Sequence, residues 1–153
     1  MNRLHIISLF LVFLLGFAAG CSKKDSGPTG PSGGTQSGDF QEVEPNDFTP
    51  QGLGVLGNTD DNVAGSAANA TDVDRYSITL NGQANLLAKV SWQGTADLDL
   101  WVTLPNGVPL VLKDTGGNTE SCLLADRTAG TYVIQITSKQ ANATAYVLTI
   151  GVR

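Results

Sequence analysis

From Gln41 onward the pattern reads as all strand, and apolar and polar side chains alternate with period two in the segments from Val73 on. Val73–Leu80 puts Tyr76, Ile78 and Leu80 on one face, and Asn81-Gly82 follows as a turn signal. Ala84–Trp92 puts Leu86, Ala88, Val90 and Trp92 on one face, with Leu87, Lys89 and Ser91 opposite. Asp97–Leu104 points Leu98, Leu100, Val102 and Leu104 inward, and Asp97, Asp99, Trp101 and Thr103 outward. Pro105-Asn106-Gly107 turns the chain and Val108–Leu112 returns it; Ser121–Ala125, Thr131–Thr137 and Ala145–Val152 read as further strands, with a turn at Ala129-Gly130. No amphipathic helix pattern interrupts them. Short strands separated by turns every eight to twelve residues or so predict an all-β sandwich or barrel. The predicted core is Tyr76, Ile78, Leu80, Leu86, Val90, Leu98, Leu100, Val102, Tyr132, Ile134, Ile136, Tyr146, Leu148 and Ile150.

The first forty residues follow other rules. Arg3 precedes an apolar run from Ile6 to Phe17, and Ala18, Ala19 and Gly20 lead to Cys21. This is the layout of an export signal over residues 1–20, with an apolar core shorter than the roughly 20 residues of a comfortable membrane span. Ala-Ala-Gly-Cys resembles the lipobox of bacterial lipoproteins, although Ala18 stands where Leu is commoner. The resemblance implies lipid attachment at Cys21, a membrane partner through that lipid, and a cell-envelope location. In a Gram-negative cell, Ser22 after the cysteine implies the outer membrane. Residues 22–41, SKKDSGPTGPSGGTQSGDFQ, hold one large apolar side chain, Phe40. Such a stretch buries too little surface to fold. The segment 21–41 is therefore expected to be a disordered tether with a reach of roughly 25 Å, and residues 42–153 to be the domain. The second cysteine, Cys122, has no disulfide partner once Cys21 carries lipid, and reads as a small buried hydrophobe.

Charge and residue types remove several function classes. The chain carries a net charge of −5, and loss of the signal takes away Arg3 and no acid. That balance excludes nucleic acid as a partner. The sole histidine, His5, lies in the signal, so no Ser–His–Asp, Cys–His or zinc-binding arrangement can be drawn from residues 21–153. Gly116-Gly117 lacks the flanks of a phosphate loop. Asp97 and Asp99 lie roughly 6.5–7 Å apart along one strand face. That is near an inverting-glycosidase spacing, but neighbours on one face do not flank a bond from opposite sides. A solvated face or a local structural role is the reading for this pair, and no catalytic residue is assigned. Trp101, on the polar face, is open to two readings, a ligand contact or packing under a loop.

Between Glu42 and Asp74 stand seven acids and no Lys or Arg. EVEPND, residues 42–47, supplies Glu42, Glu44 and Asp47 together with the amide oxygen of Asn46. Asp72 and Asp74 precede the Tyr76 strand. Such hard oxygens suit a calcium ion, which takes about six to eight of them; a solvated acidic loop is the alternative on residue types alone. An EF-hand over Asp60–Thr71 fails, because Ala64 and Thr71 stand where ligands belong.

EVEPND, then DVDRYSITL, ADLDLWVTLPNG, AGTYVIQI and AYVLTI, together resemble the bacterial pre-peptidase C-terminal domain over essentially all of residues 42–153. The resemblance implies a jelly-roll-like antiparallel β-sandwich. Carried over, Glu42, Glu44, Asn46, Asp47, Asp72 and Asp74 become the expected Ca2+ ligands. This chain departs from the family in carrying no peptidase. The expected function is a non-catalytic, lipid-anchored envelope module, stabilised by Ca2+, that engages a protein or glycan. The alternatives are a structural envelope lipoprotein partnering a membrane protein through a sheet edge, and an accessory or chaperone acting in trans on a secreted peptidase.

Overall fold

The computed structural model describes residues 39–113 and 115–153. The expected signal, Cys21 and the tether up to Gly38 lie outside the described residues. Ten strands form in chain order: β1 Asp39–Gln41, β2 Gln51–Val55, β3 Asp61–Ala67, β4 Val73–Leu80, β5 Ala84–Trp92, β6 Leu98–Thr103, β7 Pro109–Lys113, β8 Thr119–Arg127, β9 Gly130–Ser138 and β10 Thr144–Val152. They pair into two sheets, β1-β3-β10-β5-β8 and β2-β4-β9-β6-β7. Strands β3 to β10 alone give β3-β10-β5-β8 facing β4-β9-β6-β7, the eight-stranded jelly roll. The all-β sandwich expected from the alternation is thus present.

Two features depart from expectation. The sandwich is not wholly antiparallel, because β1 runs parallel to β3 and β2 parallel to β4. These two edge strands are laid down by the N-terminal segment, and β1 occupies the last three residues expected to belong to the tether. Asn62 and Val63 pair with Asp39 and Phe40, and Phe40 packs against the core, which brings these residues into the domain. The turn at Asn81-Gly82 does not close a hairpin either. It carries the chain from β4 in one sheet to β5 in the other. Each of these strands buries its whole apolar face, and that is satisfied by opposing sheets better than by side-by-side pairing.

All fourteen residues of the predicted core are buried. Leu53, Leu56, Val63, Ala67, Ala88, Trp92 and Cys122 complete it. Burial pushes the Cys122 thiol above its ordinary value, which leaves it protonated and chemically quiet. Asp97 and Asp99 take the structural role. Both reach Lys139, at 3.5 and 3.2 Å, and pin the loop between β9 and β10 to the start of β6. Trp101 is half-buried, and its Nε1 is shielded without an acceptor among the described residues.

Glu120 on β8 ties the two sheets together on the flank away from the N-terminal strands. It is 2% exposed. Its Oε2 accepts from the Leu100 amide of β6 at 3.1 Å, and its Oε1 accepts from the amide and hydroxyl of Thr115. Glu120→Ala leaves the buried Leu100 N–H without a partner. It is expected to lower the unfolding free energy by about 1–3 kcal/mol, read by urea denaturation of the purified protein. A loss under the scatter of surface substitutions would contradict this assignment.

Candidate metal centre

The chain crosses from one sheet to the other between β1 and β2, and the crossing is the acidic segment itself. Glu42 still belongs to the edge of its sheet, where its amide bonds the Ala64 carbonyl at 3.0 Å. Its side chain then turns into the seam between the sheets. Oε2 accepts from the Ser66 amide at 2.7 Å, and Oε1 accepts from the Tyr76 hydroxyl at 2.7 Å and from Asn46 Nδ2 at 3.2 Å. The Tyr146 hydroxyl lies 3.1 Å from the same oxygen. Tyr76 comes from β4 and Tyr146 from β10, so one carboxylate gathers donors from both sheets.

Tyr146 reaches the seam because its register partner on β3 is Gly65. A Cβ at residue 65 would stand 2.5 Å from the tyrosine ring. Only glycine leaves the ring room to lie across the strand.

The remainder of the crossing is locked by its own polar groups. The Asn46 amide bonds Glu44 Oε2 at 3.0 Å. Asp47 Oδ1 accepts from the Val73 amide at 3.1 Å, joining the crossing to the first residue of β4. Asp72 closes the preceding loop by accepting from the Ala68 amide. Asn69 Oδ1 accepts from the amide and hydroxyl of Thr71 at 2.8 and 2.6 Å.

The structure brings the sequence-derived set together. One oxygen each from Glu42, Glu44 and Asp74 lie within 4.8 Å of one another, and so do oxygens from Glu44, Asp47 and Asp72. That separation is about twice a calcium–oxygen bond of roughly 2.3–2.6 Å. Glu44 belongs to both groups. Asn46 joins them through its bonds to Glu42 and Glu44. Two side-chain oxygens in this cluster are buried without a partner, Asn46 Oδ1 and Asp74 Oδ1, on residues 1% and 0% exposed. Buried oxygens of this kind ordinarily find a donor or a cation. An all-oxygen donor set with unspent buried lone pairs fits a hard divalent ion. The other two acids of the block stay outside. Asp60 pairs bidentately with Arg153 at 2.6 and 2.8 Å, which holds its carboxyl below the usual range, and Asp61 starts β3.

Sequence reasoning placed Tyr76 and Tyr146 only in the core. Their hydroxyls are part of the site. They lie 2.7 Å apart, and Tyr146 lies 2.7 Å from Asp74 Oδ2. Burial, reinforced by Glu42 and Asp74, pushes the Tyr76 hydroxyl far above its ordinary value, and burial does the same to Tyr146. Burial also pushes Asp74 up to about 8, aided by the charges of Glu42 and Asp72. Three contacts of 2.7 Å link Asp74, Tyr146, Tyr76 and Glu42. The Tyr146 hydroxyl donates to Asp74 Oδ2 and the Tyr76 hydroxyl donates to Glu42 Oε1.

No protein-family model matches the sequence, and no curated protein matches it. Solved structures do. The pre-peptidase C-terminal domain of a collagenase from Bacillus anthracis is similar with a TM-score of 0.55 at 14% identity, over 66% of this chain and 93% of that one. PliG of Aeromonas hydrophila, a periplasmic inhibitor of g-type lysozyme, reaches 0.46 at 14% identity, over 75% of this chain and 99% of that one. A mitogen from Yersinia pseudotuberculosis reaches 0.47 at 15% identity, over 62% and 86%. Of these three the collagenase domain alone exceeds 0.5, and it shares the sandwich fold that the sequence motifs imply.

Two outcomes follow from the seam. A carboxyl with a raised folded-state value favours folding below its unfolded value, and that contribution disappears as pH climbs through the folded one. Metal-free protein should thus lose stability as pH rises from near 3.8 through about 8 on account of Asp74. Asp74→Asn, which cannot ionise, should flatten that fall in thermal melts run with EDTA; an unchanged slope would remove Asp74 as its source. Gly65→Ala forces the Tyr146 ring aside and should cost about 1–3 kcal/mol, with loss of tyrosine hydroxyl protection from exchange. A variant as stable as the parent would show that the ring has another place to go.

Proposed function

We propose that the chain is a non-catalytic, lipid-anchored module of the cell envelope whose sandwich is clamped by calcium and presents a surface to a protein or glycan ligand. The observation that carries the clamp is the convergence of Glu42, Glu44, Asp47, Asp72 and Asp74 around the buried, unpartnered oxygens of Asn46 and Asp74.

A bound calcium ion would supply positive charge to a seam that has none of its own. The chain's residues do the remaining work. Glu42 and Asp74 lie deepest and reach both sheets through the tyrosines. Glu44, exposed at the mouth, is shared by the inner and outer carboxylate groups. Asp47 and Asp72 bring in the two loops. Glu42, Glu44, Asp47 and Asp72 held this close repel one another when the site is empty and drive Asp74 to keep its proton, so the apo crossing is under electrostatic strain that a divalent ion relieves. The ion must displace the proton on Asp74, which makes uptake pH-dependent. The non-catalytic part of the reading is supported by the residue inventory: residues 21–153 have no histidine, and their closest carboxylate pairs are absorbed by Lys139 or by the seam. The envelope location is supported by the lipobox-like Ala-Ala-Gly-Cys21.

Calcium at a hundredfold excess over its Kd should stabilise the purified protein by about 2.7 kcal/mol if it binds the folded state alone. For a domain of this size, that raises the Tm by about 10 °C. EDTA should reverse the shift, and calcium added at neutral pH should release protons into weakly buffered solution. Glu44→Gln, which touches both carboxylate groups, should abolish most of the calcium response with little change in the metal-free Tm. Identical melts in calcium and EDTA would remove the clamp from this reading.

A further inference from the structure

The outer face of the β1-β3-β10-β5-β8 sheet carries a groove of about 750 Å3 that opens beside the acidic seam. Two cross-strand rows make its surface. Ala64, Val147 and Ser91 form one by their register, and Ser66 and Ala145 form the other, with Gln93 just beyond β5. Alanine and serine keep the sheet surface low along these rows. Glu42 and Glu44, the carboxylates of the seam, line the same groove.

We infer that this groove binds an uncharged saccharide chain. Three observations select that occupant. Among the described residues no Lys or Arg lines the groove, so none of them there attracts a phosphate, sulfate or carboxylate. The groove is floored by side chains on the face of the sheet, across β3, β10 and β5, and meets an edge only at Gln41 of the three-residue β1, so its floor offers no ladder of backbone N–H and C=O groups. An extended peptide laid there would leave its own main chain unpaired. The polar groups that do line it are hydroxyls, amides and carboxylates from Ser66, Ser91, Gln41, Gln93 and Glu44. These are the donors and acceptors that match sugar hydroxyls, while the low apolar strip of Ala64, Ala145 and Val147 suits the C–H face of a sugar ring. A volume within the roughly 300–1,000 Å3 of ordinary small-ligand sites accommodates a short oligosaccharide.

This inference deepens the ligand-binding reading above and rests on the calcium clamp in one respect. Glu42 and Glu44 line the groove only while the crossing 42–50 is held against β3, so binding should be stronger in calcium than in EDTA.

The test is isothermal titration of the purified full-length protein, in calcium and in EDTA, with cellohexaose, chitohexaose and xylohexaose, and with a proline-rich decapeptide as the peptide arm. The companion variant is Ala145→Trp. Residue 145 points outward from β10, away from the core, so this change fills the groove, and its melts in calcium and in EDTA check that the clamp still responds. Saturable binding of at least one hexasaccharide, weakened on the order of tenfold or more in Ala145→Trp (about 1.4 kcal/mol), supports the assignment. A protein that responds to calcium but binds no hexasaccharide, binds only the decapeptide, or binds equally well as Ala145→Trp overturns it. Hexasaccharide binding that Ala145→Trp removes, in a protein whose melt ignores calcium, supports the groove and overturns the clamp alone.

Discussion

One carboxylate taken out of water holds the architecture together. Glu42 leaves the edge of one sheet and enters the seam, where a buried negative charge is tolerable only if donors surround it. It finds a backbone amide on β3, the Tyr76 phenol from the opposite sheet and the side-chain amide of Asn46. That requirement fixes much else. Gly65 must lack a side chain so that Tyr146 can arrive, Tyr76 must fall on the inner face of β4, and the crossing must fold back on itself so that Asn46 can point inward. The opposite flank uses the same device, with Glu120 binding the Leu100 amide across the sheets. An eight-stranded jelly roll leaves two open flanks between its sheets, and this protein closes one with the half-buried Glu42 and the other with the buried Glu120.

The strands from β4 to β10 were legible because their apolar faces are continuous and their side chains large. Strand β4 and strand β5 match the alternation residue for residue. Strands β2 and β3 were not legible. QGLGV and DNVAGSA consist largely of Gly, Ala, Ser, Asn and Asp, residues that carry little strand preference, and β3 needs its smallness to admit Tyr146. The end of the tether was misplaced for a related reason: Asp39–Gln41 is too short to show a period. Asn81-Gly82 signals a tight turn whichever way the chain then goes, so local residues could not say that it bridges two sheets.

The candidate site was visible as a list of acids, and the motif resemblance narrowed that list to the six residues that converge. The spacing alone could not have separated them from Asp60 and Asp61, whose fates depend on Arg153 and on the start of β3. The tyrosine hydroxyls were hidden altogether. A Tyr in an alternating strand reads as a hydrophobe, and only the third dimension shows that its polar tip ends at a carboxylate. Trp101 illustrates the converse: an outward register position became half-buried once neighbouring strands were in place.

The three-residue strand β1 has a mechanical consequence. Any pull on the chain from its N-terminal side meets the core first through β1, whose few bonds to β3 are a small fraction of those joining the inner strands, and next through the knot of Glu42, Tyr76 and Tyr146. The jelly roll proper begins only after that knot. Load is thus delivered to a short ribbon and a polar latch before it reaches the central strands, and the latch is the element whose strength depends on the protonation of its carboxyl groups.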